Sequence, residues 1–262
     1  MRDPRSILIT GASSGLGEAL ALAYAAPGVF LALTGRDPAR TEAIAAACRH
    51  KGAEVLAETV NAVDAVSMAD FIGRAHARRP LDLVIANAGI SGGSARGGED
   101  AEQTRRILTV NVDGVVNTIM PTVERMRTKP RAAGAPRGQV AIMASLAGFR
   151  GFPGAPAYCA SKAAVKVWGE SLRGEFWGQG IEVSVICPGY VRTAMTADNK
   201  FRMPLLMDAE RAARIIRRGL AADRGRIAFP WRMYALVWLV SGLPPALTDP
   251  LFRRLPKKAA AG

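Results

Sequence analysis

Histidine and cysteine are scarce: the 262-residue chain holds two of the first and three of the second. His50 and His76 fall near helix ends among polar residues, where simple solvation is the plain reading. Cys48, Cys159 and Cys187 show no metal-ligand spacing, so no metal site is expected and the thiols read as free ones in a reducing compartment. Internal repeats are lacking, which excludes repeat architectures. The start, "MRDPRSILITG", has too short an apolar part for a secretory signal and no cleavage site, so a cytoplasmic protein is expected. The apolar run near the other end, "MYALVWLVSGL", falls short of the roughly 20 residues a bilayer span needs. No recognition motif accompanies the basic charge, so nucleic acid is not expected as a partner.

What is present is an ordinary folded composition with a strong positive bias. Hydrophobic residues make up 49% and charged residues 22%, enough for a real core in one large domain. The net charge is +13, concentrated in "ERMRTKPRAAGAPRG", "RAARIIRRGLAADRGR" and "FRRLPKK". Phosphates, an anionic membrane or acidic substrates all suit that balance, as does plain solvation.

Short β-rich runs alternate with longer helical segments. "SILIT", "VFLALT", "EVLAETV", "LDLVIA", "GQVAIMAS", "IEVSVIC" and "RIAFP" read as strands. Most are continuously apolar, as in strands covered on both faces. The alternation predicts an α/β fold with a parallel, doubly wound sheet. Ligands of such sheets bind beyond the carboxyl ends of the strands, so the residues just after each strand matter most.

After the first strand comes Thr10-Gly-Ala-Ser-Ser-Gly-Leu-Gly17. Gly11 can make the turn, Gly15 lets backbone approach a ligand, and Gly17 permits close helix packing. The helix start then offers free N–H groups to a pyrophosphate. The same residues spell G-x-S-x-G with Ser13 as a hydrolase nucleophile. That rival needs a later histidine, and the last one, His76, falls in a surface helix. After the second strand, "LTGRDPAR" puts Arg36 where a dinucleotide site often has an acid. Arginine suits a 2′-phosphate, which favours NADP over NAD; Asp37, ahead of Pro38, reads as a helix cap.

"TGASSGLG", "NAG" at 87–89, Asn111 in "VNVDG", Ser145 in "AIMASLAG", "YCASK" at 158–162 and "CPGYVRT" occur in one order. That order resembles the short-chain dehydrogenase/reductase family, over residues 5 to about 230. The resemblance implies one Rossmann-type domain with a sheet of about seven strands, covering 1–230, and hydride transfer between NAD(P) and an alcohol or carbonyl. It implies that Gly11, Ser13, Ser14, Gly15, Leu16 and Gly17 hold the pyrophosphate and ribose, and that Asn87, Ala88 and Gly89 line the adenosine ribose. Pro188, Gly189, Val191 and Thr193 are implied on the nicotinamide side. Where the family commonly has Asp-Val after the third strand, this chain has Asn61-Ala62; the asparagine oxygen can still accept from the adenine amino group.

Tyr158 and Lys162 stand four apart and share a helix face. A carbonyl reduction needs a proton on the developing alkoxide, and a nearby ammonium lowers a tyrosine pKa toward that task. Tyr158 is therefore expected as general acid and base, with Lys162 tuning it and, by resemblance, bonding the nicotinamide ribose. By the same resemblance Ser145 hydrogen-bonds the substrate oxygen and Asn111 holds a water linked to Lys162. Three rivals stand beside this NADP(H) reductase: an NAD-dependent dehydrogenase of the same fold, a non-catalytic NADP-binding regulator, and sugar-nucleotide epimerase chemistry, for which the chain looks short. The resemblance further implies a homodimer or homotetramer through the segments 101–128 and 156–178, whose apolar residues, Trp168 and Phe176 among them, look exposed.

Residues 194–210, "AMTADNKFRMPLLMDAE", read as an apolar substrate loop, but they name no molecule. Residues 231–262 form an apolar and basic extension. Three places suit it: the protein's own substrate cleft, a partner subunit, or a membrane surface contacted through 231–258.

Overall fold

The computed structural model describes residues 3–92, 99–131, 134–197, 199 and 202–252. The apolar runs became strands as expected: β1 (Ser6–Thr10), β2 (Phe30–Gly35), β3 (Glu54–Thr59), β4 (Leu83–Ala86), β5 (Gly138–Met143), β6 (Ile181–Pro188), β7 (Val191–Arg192), β8 (Met207–Asp208) and β9 (Arg226–Phe229). Seven of them form a single parallel sheet in the order β3-β2-β1-β4-β5-β6-β9. β1, β2, β4 and β5 are buried along their whole length, which is why their sequences show no alternation.

Helices cover both faces. On one side lie α1 (Gly15–Tyr24), α2 (Pro38–His50) and, from the far end of the chain, α8 (Ala209–Ala221). On the other lie α3 (Ala65–Arg78), α4 (Ala101–Leu108), α5 (Gly114–Thr128) and α6 (Pro156–Phe176). Each side closes its own core: Leu20, Leu31, Leu33 and Ile216 in one, Phe71, Ile119, Val140 and Val185 in the other. The order reverses between β1 and β4, and the crevice at such a switch point is where open α/β sheets take ligands.

Three details differ from the sequence reading. The 101–128 segment is broken by a wide π-turn, Thr109–Asp113, between α4 and α5. Phe176 is buried and Trp168 half-buried against the core; the exposed apolar residues at this end are Val167 and Trp177. Phe176 turns inward into the core beneath the sheet, and the Arg127 guanidinium lies over its ring at 5.3 Å. The third is His76: half-buried, its Nδ1 accepts the Leu81 N–H at 3.4 Å. Burial, aided by the Lys129 and Arg125 charges, lowers its pKa. This histidine lies at the amino end of β4, whereas Ser13 follows the carboxyl end of β1, so the hydrolase reading has no geometry.

The three cysteines are buried and free, and burial pushes the Cys48 thiol to about 11 and Cys187 to about 12. Among the described residues no His, Cys, Asp and Glu gather into a metal site. In the 194–210 segment the described part forms a short helix, α7 (Ala194–Ala197), and β8, which pairs in parallel with β7 just before the segment; Asp198, Lys200 and Phe201 lie outside the described residues.

The extension folds back as two helices, α9 (Trp231–Ser241) and α10 (Pro245–Phe252). Val237 is buried, and Met233 and Tyr234 pack on the core. The Tyr234 ring meets Phe149 edge-on at 5.5 Å, and its hydroxyl accepts from Arg226 at 3.1 Å. Arg150 donates to Thr248 at 2.8 Å, fixing α10. Arg253, Arg254, Lys257 and Lys258 lie outside the described residues.

Candidate functional site

One cleft crosses the carboxyl ends of β1, β2, β4, β5 and β6. Every site residue expected from sequence lines it except Gly17 and Asn111, which sit directly behind.

The loop after β1 sets its floor. Gly11 has φ +65°, and an added Cβ would lie 2.8 Å from the Ala88 Cα. Gly17 is tighter still: its Cβ would fall 2.1 Å from the Gly11 carbonyl oxygen. Backbone on both sides leaves no room for a methyl group. Asn87 ties the two strand ends together, donating to the Thr10 and Gly11 carbonyls at 3.0 and 3.1 Å. Thr10 Oγ1 in turn accepts from Asn87 N and Ala88 N, each at 3.1 Å. Ser13, Ser14, Gly15 and Leu16 line the cleft where α1 begins, at a positive helix end.

At the edge past β2, Arg36 is exposed and faces the cleft beside Ser13 and Ser14. Asp37 does cap α2: its carboxylate accepts from Arg40 N at 2.9 Å and from Arg40 Nε at 2.8 Å. Those bonds hold its carboxyl below the usual range. Arg40 lines the same edge, a residue the sequence reading passed over. Asn61 and Ala62 line the cleft at the end of β3.

The other wall carries the reactive groups. Ser145 lies two residues beyond β5; its Oγ accepts from Ala147 N at 3.1 Å and donates to the Pro188 carbonyl at 3.3 Å. The Tyr158 hydroxyl reaches the same Ser145 side chain. Gly148 makes this approach possible, since its Cβ would lie 2.6 Å from the Lys162 carbonyl oxygen. Glu99, also unforeseen, accepts from Ala157 N at 2.8 Å and so caps the helix that presents Tyr158.

Tyr158 and Lys162 do share a face of α6, with Nζ 5.8 Å from the ring centroid. The expected lowering of the tyrosine is not what the structure gives. Burial raises the Tyr158 pKa, and the bond with Ser145 only opposes this. The Lys162 ammonium is itself buried, which lowers it to about 8, and it donates to the Met143 carbonyl at 2.7 Å. Asn111 is a clasp: Oδ1 accepts from Ile90 N at 2.8 Å, while Nδ2 donates to Ile90 O at 2.9 Å and Ser161 Oγ at 3.0 Å. The π-turn lets this side chain reach two elements at once. Pro188, Gly189, Val191 and Thr193 close the cleft beyond β6.

A family model described as short chain dehydrogenase matches residues 5–203. An uncharacterized oxidoreductase of Myxococcus xanthus is 35% identical over 96% of this chain and 97% of its own length. Another from Mycobacterium tuberculosis is 31% identical over 93% and 96%. Among solved structures, a 3-ketoacyl-ACP reductase from Sinorhizobium meliloti superposes with a TM-score of 0.75 at 27% identity, over 88% of this chain and 99% of that one. A Burkholderia phymatum short chain dehydrogenase/reductase in complex with NAD superposes over the full chain and 99% of its own, with a TM-score of 0.82; at 22% identity this likeness is one of fold.

Proposed function

The chain belongs to the short chain dehydrogenase family of oxidoreductases, and from that premise we propose an NADP(H)-dependent reductase of an apolar carbonyl compound. The observation that carries the reading is the convergence of Ser145, Tyr158 and Lys162 on one wall of a cleft whose opposite wall is the glycine loop.

The residues fit a dinucleotide. The loop at Gly11 and Gly17 is too close-packed for side chains, leaving backbone and the start of α1 to face phosphate. Arg36 and Arg40 offer guanidinium groups to a 2′-phosphate, and Asp37, engaged with Arg40, is not free for ribose hydroxyls. Asn61, lining the cleft at the end of β3, would accept from the adenine amino group. When bound, the dinucleotide supplies the hydride to the carbonyl carbon, or accepts it in the reverse direction.

The chain supplies the proton and the orientation. The Ser145 hydroxyl turns its proton from the Pro188 carbonyl to the substrate's carbonyl oxygen, and the Tyr158 hydroxyl gives its proton to that oxygen as it becomes an alkoxide. Burial holds the Tyr158 hydroxyl protonated until the alkoxide forms, and charged Lys162, on the same helix face, then stabilises the tyrosinate left behind. Asn111 fixes Ser161, one residue before Lys162, and thereby the helix face. A pure binding protein has no use for this set, which disfavours a regulator. We also propose a homo-oligomer through the segments 101–128 and 156–178, where Leu108, Val167 and Trp177 are uncovered.

The test is NADPH oxidation across ketones, quinones and 3-oxoacyl thioesters, repeated with NADH. The thioesters come first, given the Sinorhizobium meliloti reductase's name. Tyr158→Phe should lower turnover by about 10²–10⁴-fold while leaving NADPH affinity nearly unchanged. Normal turnover by that variant would refute the mechanism, and a clear NADH preference would refute the reading of Arg36.

A further inference from the structure

Helix α9 is apolar on two faces, and only one of them serves the fold. Met233, Tyr234 and Val237 face the core. Trp231, Leu236, Trp238 and Leu239 face solvent, each between 59% and 71% exposed, and Leu243 and Leu247 continue the uncovered set toward and into α10. Monomeric soluble proteins seldom leave that much clustered apolar surface bare.

The chain that carries it is predominantly basic. Arg232 stands within the exposed face, its guanidinium 5.6 Å from the Trp231 ring. From Arg224 to the chain's end the sequence has seven Lys and Arg against one acid, Asp249. Four of those cations, Arg253, Arg254, Lys257 and Lys258, follow the last described helix directly.

Three occupants compete. The protein's own cleft is excluded for this face, because α9 meets the cleft wall with its other side: Met233 Sδ lies 2.9 Å from where a Gly189 Cβ would be. A second copy related by a two-fold axis would set Arg232 against the same face of its partner, and residues 231–248 hold no Asp or Glu to pair with it. A cation buried there without a counter-charge opposes association. An anionic lipid surface meets both demands. Tryptophan and leucine enter the headgroup boundary, while arginine and lysine reach back to lipid phosphates. No described helix is long and apolar enough to cross a membrane, and α9, at 11 residues, suits lying in the interface plane.

We propose that the exposed face of α9, with the start of α10, docks this protein peripherally on anionic membranes. The full chain is mixed with vesicles of equal parts phosphatidylglycerol and phosphatidylcholine, or of phosphatidylcholine alone, and sedimented. It should follow the anionic vesicles, remain behind with the neutral ones, and be released by added salt. Trp238→Ser and Leu239→Ser should each weaken partition about tenfold, in line with the apolar area removed. Their melting temperatures and NADPH-dependent turnover of a soluble substrate should hold. Wild type that stays in solution with both vesicle types overturns the proposal. So do variants that still bind vesicles as the wild type does. If the variants instead break a larger species into a smaller one in sedimentation velocity, the face belongs to a second copy and the lipid assignment is wrong.

Discussion

The glycine loop at 11–17 and the helix at 231–241 contrast in how tightly each is fitted. In the loop an added methyl group would strike backbone within 2.1 to 2.8 Å. On α9, Trp231 and Trp238 stand 71% and 59% exposed. A rigid ligand with fixed phosphates needs backbone held in one place. A soft, fluid or merely apolar partner needs area and charge, and tolerates imprecision. Position-by-position constraint therefore marks the first kind of site and composition marks the second.

Substitutions can break that contrast, taken here from the largest expected effect downward. Gly17→Ala adds a single methyl group but forces it on the Gly11 carbonyl. It should lower NADPH affinity by about a hundredfold, with stability falling by about 1–3 kcal/mol, read by cofactor titration and thermal melting. A melting curve and affinity equal to wild type would show that the loop yields more than its packing implies. Arg36→Ala should shift preference from NADPH toward NADH by about 10- to 100-fold in kcat/KM, since a charge-assisted pair to phosphate is lost. An unchanged ratio would leave Arg40 as the discriminating residue.

Lys162 gives a pH signature. Its folded pKa is about 8, below the ordinary lysine value of about 10.4. Between those values the unfolded chain carries a proton the folded chain has shed, so stability rises with pH through that window. The melting temperature of wild type should therefore climb relative to Lys162→Met from about pH 8 to about pH 10. A constant difference between the two would mean that Lys162 keeps its proton.

Within α9 the two faces can be set against each other. Val237→Ala, on the inner face, should cost about 1–2 kcal/mol. Trp238→Ser, a far larger change on the outer face, should stay within about 0.5 kcal/mol. Equal costs would mean that Trp238 is covered in solution.

Much of the fold was legible because burial on both faces makes a strand apolar throughout, as in "SILIT" and "GQVAIM". The positions lining the cleft were legible because backbone must come close there, and Gly11 and Gly17 mark it. Other features leave weaker traces. The π-turn depends on one residue more than a regular turn holds; a bend is expected at Asn111, but nothing in "LTVNVDG" marks the surplus residue. Phe176 looked exposed because its cover, Arg127, lies far away in sequence. The inner and outer sides of α9 could not be told apart, since a helix apolar all round has no periodicity to orient it. Nor did the sequence reveal Glu99, whose partner is a backbone N–H 58 residues away. The direction of the Tyr158 shift needed the burial of both groups, which no spacing of residues reports.

The π-turn at Thr109–Asp113 also bears on chain length. A turn that wide is a regular turn with one surplus residue, so the helices before and after it keep their phase. Deleting one residue in α5 ahead of Ile119 would rotate everything beyond it by about 100°, and Ile119, Val123 and Met126 would leave the sheet together. Deleting one residue inside the wide turn would leave those three in place and withdraw Asn111 from Ile90 and Ser161. The one spot in this segment where the fold can spare a residue is the spot where the cleft cannot.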